Sequence, residues 1–484
     1  MKSLFAGPGD ATAAPAVPAV GWVLAGLSLC MLMPSLGISI ANVALPTLAH
    51  AFGATFQDVQ WIVLAYLLAV TTLVVSAGRL GDLIGRRRML LAGIAVFTAA
   101  SALCAAAPTL GLLVAARAVQ GAGAATMMAL TMAFVGETVP KARTGRAMGL
   151  LGTMSALGTA LGPSLGGLLI AGGGWRALFF VSVPVGALTG WLAFRHLPAD
   201  RPRASATRAG FDPAGTLLLA LTLAAYALAM TWGRGRFGLL NGALLLAALV
   251  GAALFVRVEA WAASPLVRLA MFRDRALVGG LSMGALVSTV MMATLVVGPF
   301  HLSRALGLGA AQVGLAMSVG PLAAALTGVP AGRLADRFGA EPMIFMGLLG
   351  MAAGGAVLAM MPAARGVAGY LAPMVVITAG YALFQAANNT AVMADVSPDR
   401  RGVVSGLLNL SRNLGFITGA SVMGAVFALA TASIDITAAT AEAVGTGTRI
   451  TFAVATLLAV GALVIAWRAR RGVSGPGCSC RSCP

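Results

Sequence analysis

Apolar residues in this chain come in long stretches. They follow one another from residue 20 to residue 468, separated by short connectors rich in Gly, Pro and Arg. They do not alternate apolar with polar, so they read as helices and not as strands of a barrel. A helix needs about 20 mostly apolar residues to cross a bilayer, where only a helix or a closed barrel satisfies every backbone polar group. The pattern predicts fourteen spans, near 20–42, 59–78, 89–107, 110–134, 147–170, 177–196, 214–232, 238–256, 276–300, 311–331, 343–362, 367–393, 403–430 and 449–468. Residues 1–19 are rich in Ala, Pro and Gly with one Lys and read as disordered. They lack the charged stretch, short apolar stretch and cleavage site of a secretory leader, so the first span reads as an uncleaved anchor.

Composition sharpens this. The chain is 59% hydrophobic and 10% charged, with mean hydropathy +0.93. An ordinary soluble domain is about 25% charged. The values exclude a soluble enzyme, a disordered protein and a disulfide-stapled secreted domain. The net charge of +18, from 32 Lys+Arg and 14 Asp+Glu, would suggest nucleic-acid binding in a soluble chain. Its distribution says otherwise. Connectors after even-numbered spans and the two tails hold 24 of the basic residues, the opposite connectors hold six, and Arg117 and Arg412 lie inside spans. By the positive-inside rule both termini are cytoplasmic, and the basic face suits anionic lipid headgroups, with no nucleic-acid partner. Of five cysteines, Cys30 and Cys104 fall within spans as small packing residues. Cys478, Cys480 and Cys483 sit in a Gly/Ser/Pro-rich tail that reads as disordered.

The chain also repeats itself. Gly78-Arg-Leu-Gly-Asp82-Leu-Ile-Gly85-Arg86-Arg87 follows span 2, and Gly332-Arg-Leu-Ala-Asp336-Arg-Phe-Gly339 follows span 10, at an offset of 254. Gly149, Gly158, Gly162 and Gly167 of span 5 recur as Gly406, Gly415, Gly419 and Gly424 of span 13, at an offset of 257. Two related six-helix units follow: an arm over 1–19, a half over 20–198, two extra central helices with basic connectors over 199–269, a second half over 270–470, and a tail over 471–484. Two such halves in parallel orientation are a common transporter plan.

These segments resemble a known family. Gly78-x-Leu80-x-Asp82-x-x-Gly85-Arg86-Arg87 is similar to the cytoplasmic loop signature of the major facilitator superfamily. Arg117-x-x-Gln120-Gly121-x-Gly123 resembles its span-4 signature, and Gly158-x-x-x-Gly162-Pro163-x-x-Gly166-Gly167 the span-5 signature of its drug/proton antiporters. Asn42-Val-Ala-Leu-Pro46, Trp61-x-x-x-x-Tyr66 and Trp175-Arg-x-x-Phe-x-x-Ser-x-Pro184 resemble the fourteen-span drug-efflux branch (EmrB/QacA type). The resemblance covers nearly the whole chain. It implies an all-α membrane protein of the bacterial inner membrane that exports small amphipathic molecules in exchange for protons. No cofactor or metal is implied; the proton gradient drives transport. The implied state is a functional monomer, with room for an accessory periplasmic adaptor.

Each candidate residue has a functional and a plain reading. Asp82, with Gly78, Gly85, Arg86 and Arg87, reads as a conformational latch, a carboxylate facing the positive end of a neighbouring helix, or as a solvated turn. Asp336 repeats the spacing, but Ala340-Glu341 follows it in place of basic residues. Arg117, with Gln120, either locks packing through backbone carbonyls or tunes a proton site, since a charge at membrane depth normally faces a cavity. Gly158, Gly162, Pro163, Gly166 and Gly167 allow a closely packed, bendable helix. Asn42, Trp61, Tyr66, Tyr381, Gln385, Asn388, Asn389, Asn409, Arg412 and Asn413 are candidates for a polar cavity or for interhelical bonding. His301 reads as a wet loop histidine.

One departure stands out. This branch carries an Asp five residues before the Asn of Asn-Val-Ala-Leu-Pro; here that position is Gly37. The sequence reading finds no acid deep in any span, so the proton carrier is sought among Asp58, Glu137 and Asp82, and a neutral or anionic cargo is expected over a lipophilic cation. No Gly-x-x-x-x-Gly-Lys-Ser/Thr loop exists for nucleotide use. A metabolite facilitator is the second reading, and a membrane sensor without transport the third.

Overall fold

The computed structural model describes residues 20–138, 141–200, 212–232, 238–262, 265, 269–361, 365–394, 401–432 and 439–473. The expectations for residues 1–19, for Cys478, Cys480 and Cys483, and for the side chains of Asp82, Glu137 and Asp336 lie outside the described residues. Every regular element described is helical: α1 (Val20–Val43), α2 (Leu45–Phe52), α3 (Phe56–Ile84), α4 (Arg86–Ala106), α5 (Leu110–Thr138), α6 (Lys141–Phe180), α7 (Ser182–His196), α8 (Pro213–Thr231), α9 (Leu239–Trp261), α10 (Arg275–Phe300), α11 (Ala310–Phe338), α12 (Ala340–Met360), α13 (Gly366–Met393), α14 (Arg401–Thr418), α15 (Gly424–Thr431) and α16 (Ala441–Val473). Two π-helical turns, His301–Ala305 and Gly419–Met423, follow α10 and join α14 to α15.

Thirteen stretches among the described residues are long and apolar enough to cross a membrane. The sequence separates a fifth and a sixth span where the structure has one stretch, Leu157–His196, of 40 residues. That is about twice what one crossing takes. Within it Gly174, at φ 71 and ψ −179, leaves the helical region.

The internal repeat is visible in the packing. Gly85 (φ +113) ends α3 and opens α4; Gly339 (φ +88) does the same between α11 and α12. Both need a conformation that side chains with a Cβ avoid. Gly93 of α4 and Gly123 of α5 lie in close contact, and Gly347 of α12 and Gly380 of α13, at the same two offsets of 254 and 257, meet in the same way. Gly158 and Gly162 of α6 press on Leu32 and Ser39 of α1, while Gly415 and Gly419 press on Ala285 and Met292 of α10. Small residues permit this backbone approach, which in lipid replaces the hydrophobic driving force between helices.

The cores show how the halves meet. We call the end of the bundle where α1 begins and α16 finishes the near end, and the opposite end the far end. Val23, Leu27, Leu90 and Phe134 belong to a core within α1–α7; Leu348, Phe384 and Phe452 belong to one in α10–α16 that takes in Val43 at the far end of α1. Only towards the far end is a core shared, where Leu45, Phe56, Val63 and Phe179 pack with Val296, Phe300, Ile417, Phe427 and with Leu223 of α8.

Candidate functional site

At the near end the latch motif forms a helix corner. The backbone N–H groups of Arg87 and Arg88, free of helical partners at the start of α4, donate to Asp200 Oδ1 at 2.8 Å and Oδ2 at 3.2 Å. A carboxylate there meets both the unsatisfied donors and the positive end of the helix. The Arg87 guanidinium donates to the Phe194 carbonyl and lies 5.5 Å over the Phe194 ring. Asp200 therefore ties the end of the sixth-span helix to the α3–α4 corner. A Cβ on Gly85 would stand 2.5 Å from Asp200 Oδ2. In the second half the corner carries Glu341 in the first turn of α12, paired with Arg470 of α16 at 3.0 Å. The two corners thus have opposite polarity: basic helix start with acid from the connector after the sixth-span helix, and acidic helix start with base from the last helix. Sequence reasoning missed Asp200, because a capping acid in a connector leaves no periodic mark.

Midway along the first half, Arg117 is fully buried. Its Nε donates to the Ile62 carbonyl at 2.9 Å, its Nη1 to Gln120 Oε1, and its guanidinium lies 4.2 Å over the Tyr66 ring. Gln120 Nε2 continues to Ser101 Oγ at 2.7 Å, and Tyr66 Oη donates to the Pro34 carbonyl at 3.0 Å. One network therefore joins α1, α3, α4 and α5. Among the described residues Arg117 Nη2 has no partner and no carboxylate pairs with the group. A Cβ on Gly37 would lie 3.9 Å from Arg117 Nη1 and 3.6 Å from Tyr66 Oη, which is ordinary contact. The position where the resembling branch carries Asp thus faces the guanidinium directly.

The glycine helix α6 is where the halves touch. Gly166 lies against Val43 of α1, and Gly167 against Ala310 and Gly314 of α11 in the second half. Pro163, lacking an N–H, leaves the Thr159 carbonyl without its helical donor. Ser39 Oγ supplies one at 2.7 Å, so α1 repairs the break that the proline makes.

The remaining candidates divide. Asn42 Nδ2 donates within α1 to the Ile38 carbonyl at 2.9 Å, with its Oδ1 unpartnered. Trp61 Nε1 donates to Thr231 Oγ1 of α8 at 3.1 Å, which puts it at a contact with the extra helices. Asn388 Nδ2 bonds the Gly280 carbonyl of α10 at 3.2 Å. Gln385 and Asn389 bond each other at 3.4 Å, and Arg412 Nη2 donates to Asn409 Oδ1 at 2.9 Å; all four are half-buried. Asp58 is exposed and closes a capping box with Thr55 at the start of α3. His301 is no wet loop residue: it opens a π-helical turn, stacks on Tyr370 with ring centroids 5.2 Å apart, and meets Thr448 Oγ1 at 3.1 Å. A buried acid also escaped the sequence reading. Glu259 near the end of α9 is 2% exposed, and its carboxylate and that of Asp212 both border Gly215.

Comparison with known proteins agrees with this architecture. The solved structure of a bacterial homologue of the human lysosomal transporter Spinster, inward-facing and unoccupied, superposes with a TM-score of 0.67 at 16% identity, covering 93% of this chain and 97% of that one. The multidrug resistance protein Stp of Mycobacterium tuberculosis is 32% identical over 84% of this chain and 75% of its own length. The riboflavin transporter RibZ of Clostridioides difficile is 30% identical over 84% of this chain and 88% of its own. The sequence model of the Major Facilitator Superfamily matches residues 27–420. The chain belongs to the Major Facilitator Superfamily; it is a multi-pass membrane transporter of small molecules, not an enzyme.

Proposed function

We propose that the chain is a fourteen-span secondary exporter of small amphipathic compounds, working by alternating access and driven by protons moving the other way. Fourteen crossings follow if Leu157–His196 turns back at Gly174, since each part is then about one membrane thickness. An even count puts both termini on one side, and the 24-to-6 distribution of Lys and Arg assigns that side to the cytoplasm. The far end would then be the outer face, and the shared core there makes this an outward-closed state. The observation that carries the exporter reading is the seam at α6: the stretch resembling the drug/proton antiporter signature lies backbone to backbone on α1 and, through Gly167, on Gly314 of the other half. The name of Stp, a multidrug resistance protein, supports the same reading. Among the described residues neither Arg117 nor Arg412 pairs with a carboxylate, so a neutral or anionic cargo suits the interior better than a lipophilic cation. Arg117 with Gln120, Asp58, Glu137 and Glu259 are the proton-coupling candidates.

A metabolite facilitator is the second reading, favoured by Gly37 in place of an acid and by the riboflavin transporter among the relatives. Purified protein in proteoliposomes, given an imposed pH gradient and compounds of each charge class, decides. Uphill movement that collapses with the gradient supports the antiporter. Flux following only the compound's own gradient means a facilitator, and no flux of any class would sink both.

A further inference from the structure

The halves meet along two seams at the far end, and the internal repeat makes the seams equivalent. At the first, Gly167 of α6 lies against Gly314 of α11, and Gly314 in turn against the Pro163 carbonyl. At the second, Gly424 of α15 lies against Gln60 of α3, and Gln60 Nε2 donates to the Ala420 carbonyl at 2.9 Å. The partners correspond one for one: Gly424 and Ala420 follow Gly167 and Pro163 by 257, and Gln60 precedes Gly314 by 254. The symmetry fails in one place. Where the first seam has a glycine, the second has an amide side chain, 2% exposed, driven across into the other half. Gly424 leaves room for nothing larger than hydrogen beside that amide. Ala420 sits in the π-helical turn Gly419–Met423, where the main-chain ladder changes register and admits an outside donor. Phe56, Phe300 and Phe427, all fully buried, close edge to face around the same place, with Phe56 4.8 Å from Phe300 and 5.6 Å from Phe427. Gln60 Oε1 has no partner. Among the described residues the polar contact between α3 and the π-helical turn is thus one hydrogen bond beside an unsatisfied acceptor, set in apolar packing, a contact that is specific yet weak.

We infer that Gln60 is the positioning residue of the far-end gate: the gate shuts when its amide docks on Ala420 beneath Gly424, and this contact sets the ratio of open to closed states. The inference rests on the alternating-access reading above, but its test needs no cargo or proton gradient. The full chain, with its five cysteines replaced and a cysteine introduced by Val63→Cys one turn deeper on the same face of α3, is reacted with a membrane-impermeant maleimide applied at the far end. With reopening fast against labelling, the rate follows the open population. Gln60→Glu removes the donor, and Gly424→Ala pushes the amide away without altering it. Each is expected to raise the labelling rate about fivefold, the worth of one net buried hydrogen bond. Unchanged rates in variants that melt like the parent overturn the inference, whatever the transport assays show. If Gly424→Ala does not fold, Gln60→Glu decides alone.

Discussion

Arg117 brings a positive charge into the first half with a backbone carbonyl, an amide oxygen and an aromatic face for company, and with Nη2 unpartnered. A charged N–H left without an acceptor at membrane depth costs a few kcal/mol. A side chain can start at this position without a clash, because the nearest atoms to a Cβ on Gly37 stand at 3.6, 3.7 and 3.9 Å, Arg117 Nη1 among them. Gly37→Asp is therefore expected to pair with Arg117, to raise the melting temperature in detergent, and to bring export of a permanent cation such as ethidium where the parent exports little. A lower melting temperature and no ethidium transport would show that the guanidinium is already compensated and that the cargo's charge is not set here. The presence of Arg117, its depth and the absence of the branch's acid were all legible in the sequence. That it binds Tyr66 and Ile62 was not, since those contacts depend on how α3 and α5 turn their faces.

Among the elements, α6 shows how a helix-breaking residue is accommodated. Pro163 withholds the donor that the Thr159 carbonyl needs, and Ser39 Oγ of α1 provides it at 2.7 Å. Ser39→Ala should destabilise the parent by about 1 kcal/mol. In a Pro163→Ala background the restored main-chain donor makes Ser39 redundant, and the same change should cost almost nothing. A double-mutant cycle on thermal melting reads the coupling, and simple additivity would refute it. The α3–α4 corner gives a second case. Asp200→Asn keeps a hydrogen-bond acceptor but loses the charge at the start of α4. A loss of about 0.3–1 kcal/mol is expected, shrinking as salt is added; a loss independent of salt would mean that Asp200 acts by shape alone. The sequence reading placed this corner through the Gly78–Gly85 and Gly332–Gly339 echo, and both Gly85 and Gly339 have the positive φ that such a turn needs. It passed over Asp200 and Gln60, because each is defined by its partner, 113 and 360 residues away in the chain, and not by its neighbours. It also read Trp61 as a cavity candidate, whereas the indole is occupied at a helix contact that hydropathy does not register.

For the molecule as a whole, the extra helices pose the question of which half they move with. Trp61 binds Thr231 at 3.1 Å, and Ser76 binds Thr216 at 2.7 Å. Residues 61 and 76 lie about 22 Å apart along α3 at 1.5 Å per residue, so α8 is fastened to α3 near both ends. Its contact with the second half is mostly apolar, through Leu223 and Ala227 in the core that also holds Ile417 and Phe427, with the Tyr226 hydroxyl hydrogen-bonded to Thr418 and Ser421. The bonds to α3 are spread over most of its length and the polar contact with the second half sits at one place, so a rocking motion should break the latter and spare those with α3. Helix α9 lies outside α8 and exposes Leu239, Leu246, Leu249 and Trp261, as a lipid-facing helix does. The pair would then travel with the first half as a cover over the α3–α15 seam. Spin labels at exposed Leu217 of α8 and Leu83 of α3 should keep one distance throughout the transport cycle. A second pair, Leu217 and Val464 of α16, should gain a new distance when cargo and a pH gradient are supplied. If the Leu217–Leu83 distance changes in step with the other, the two hydrogen bonds do not fix α8 to the first half; if neither changes while transport proceeds, the halves do not rock against each other at this seam.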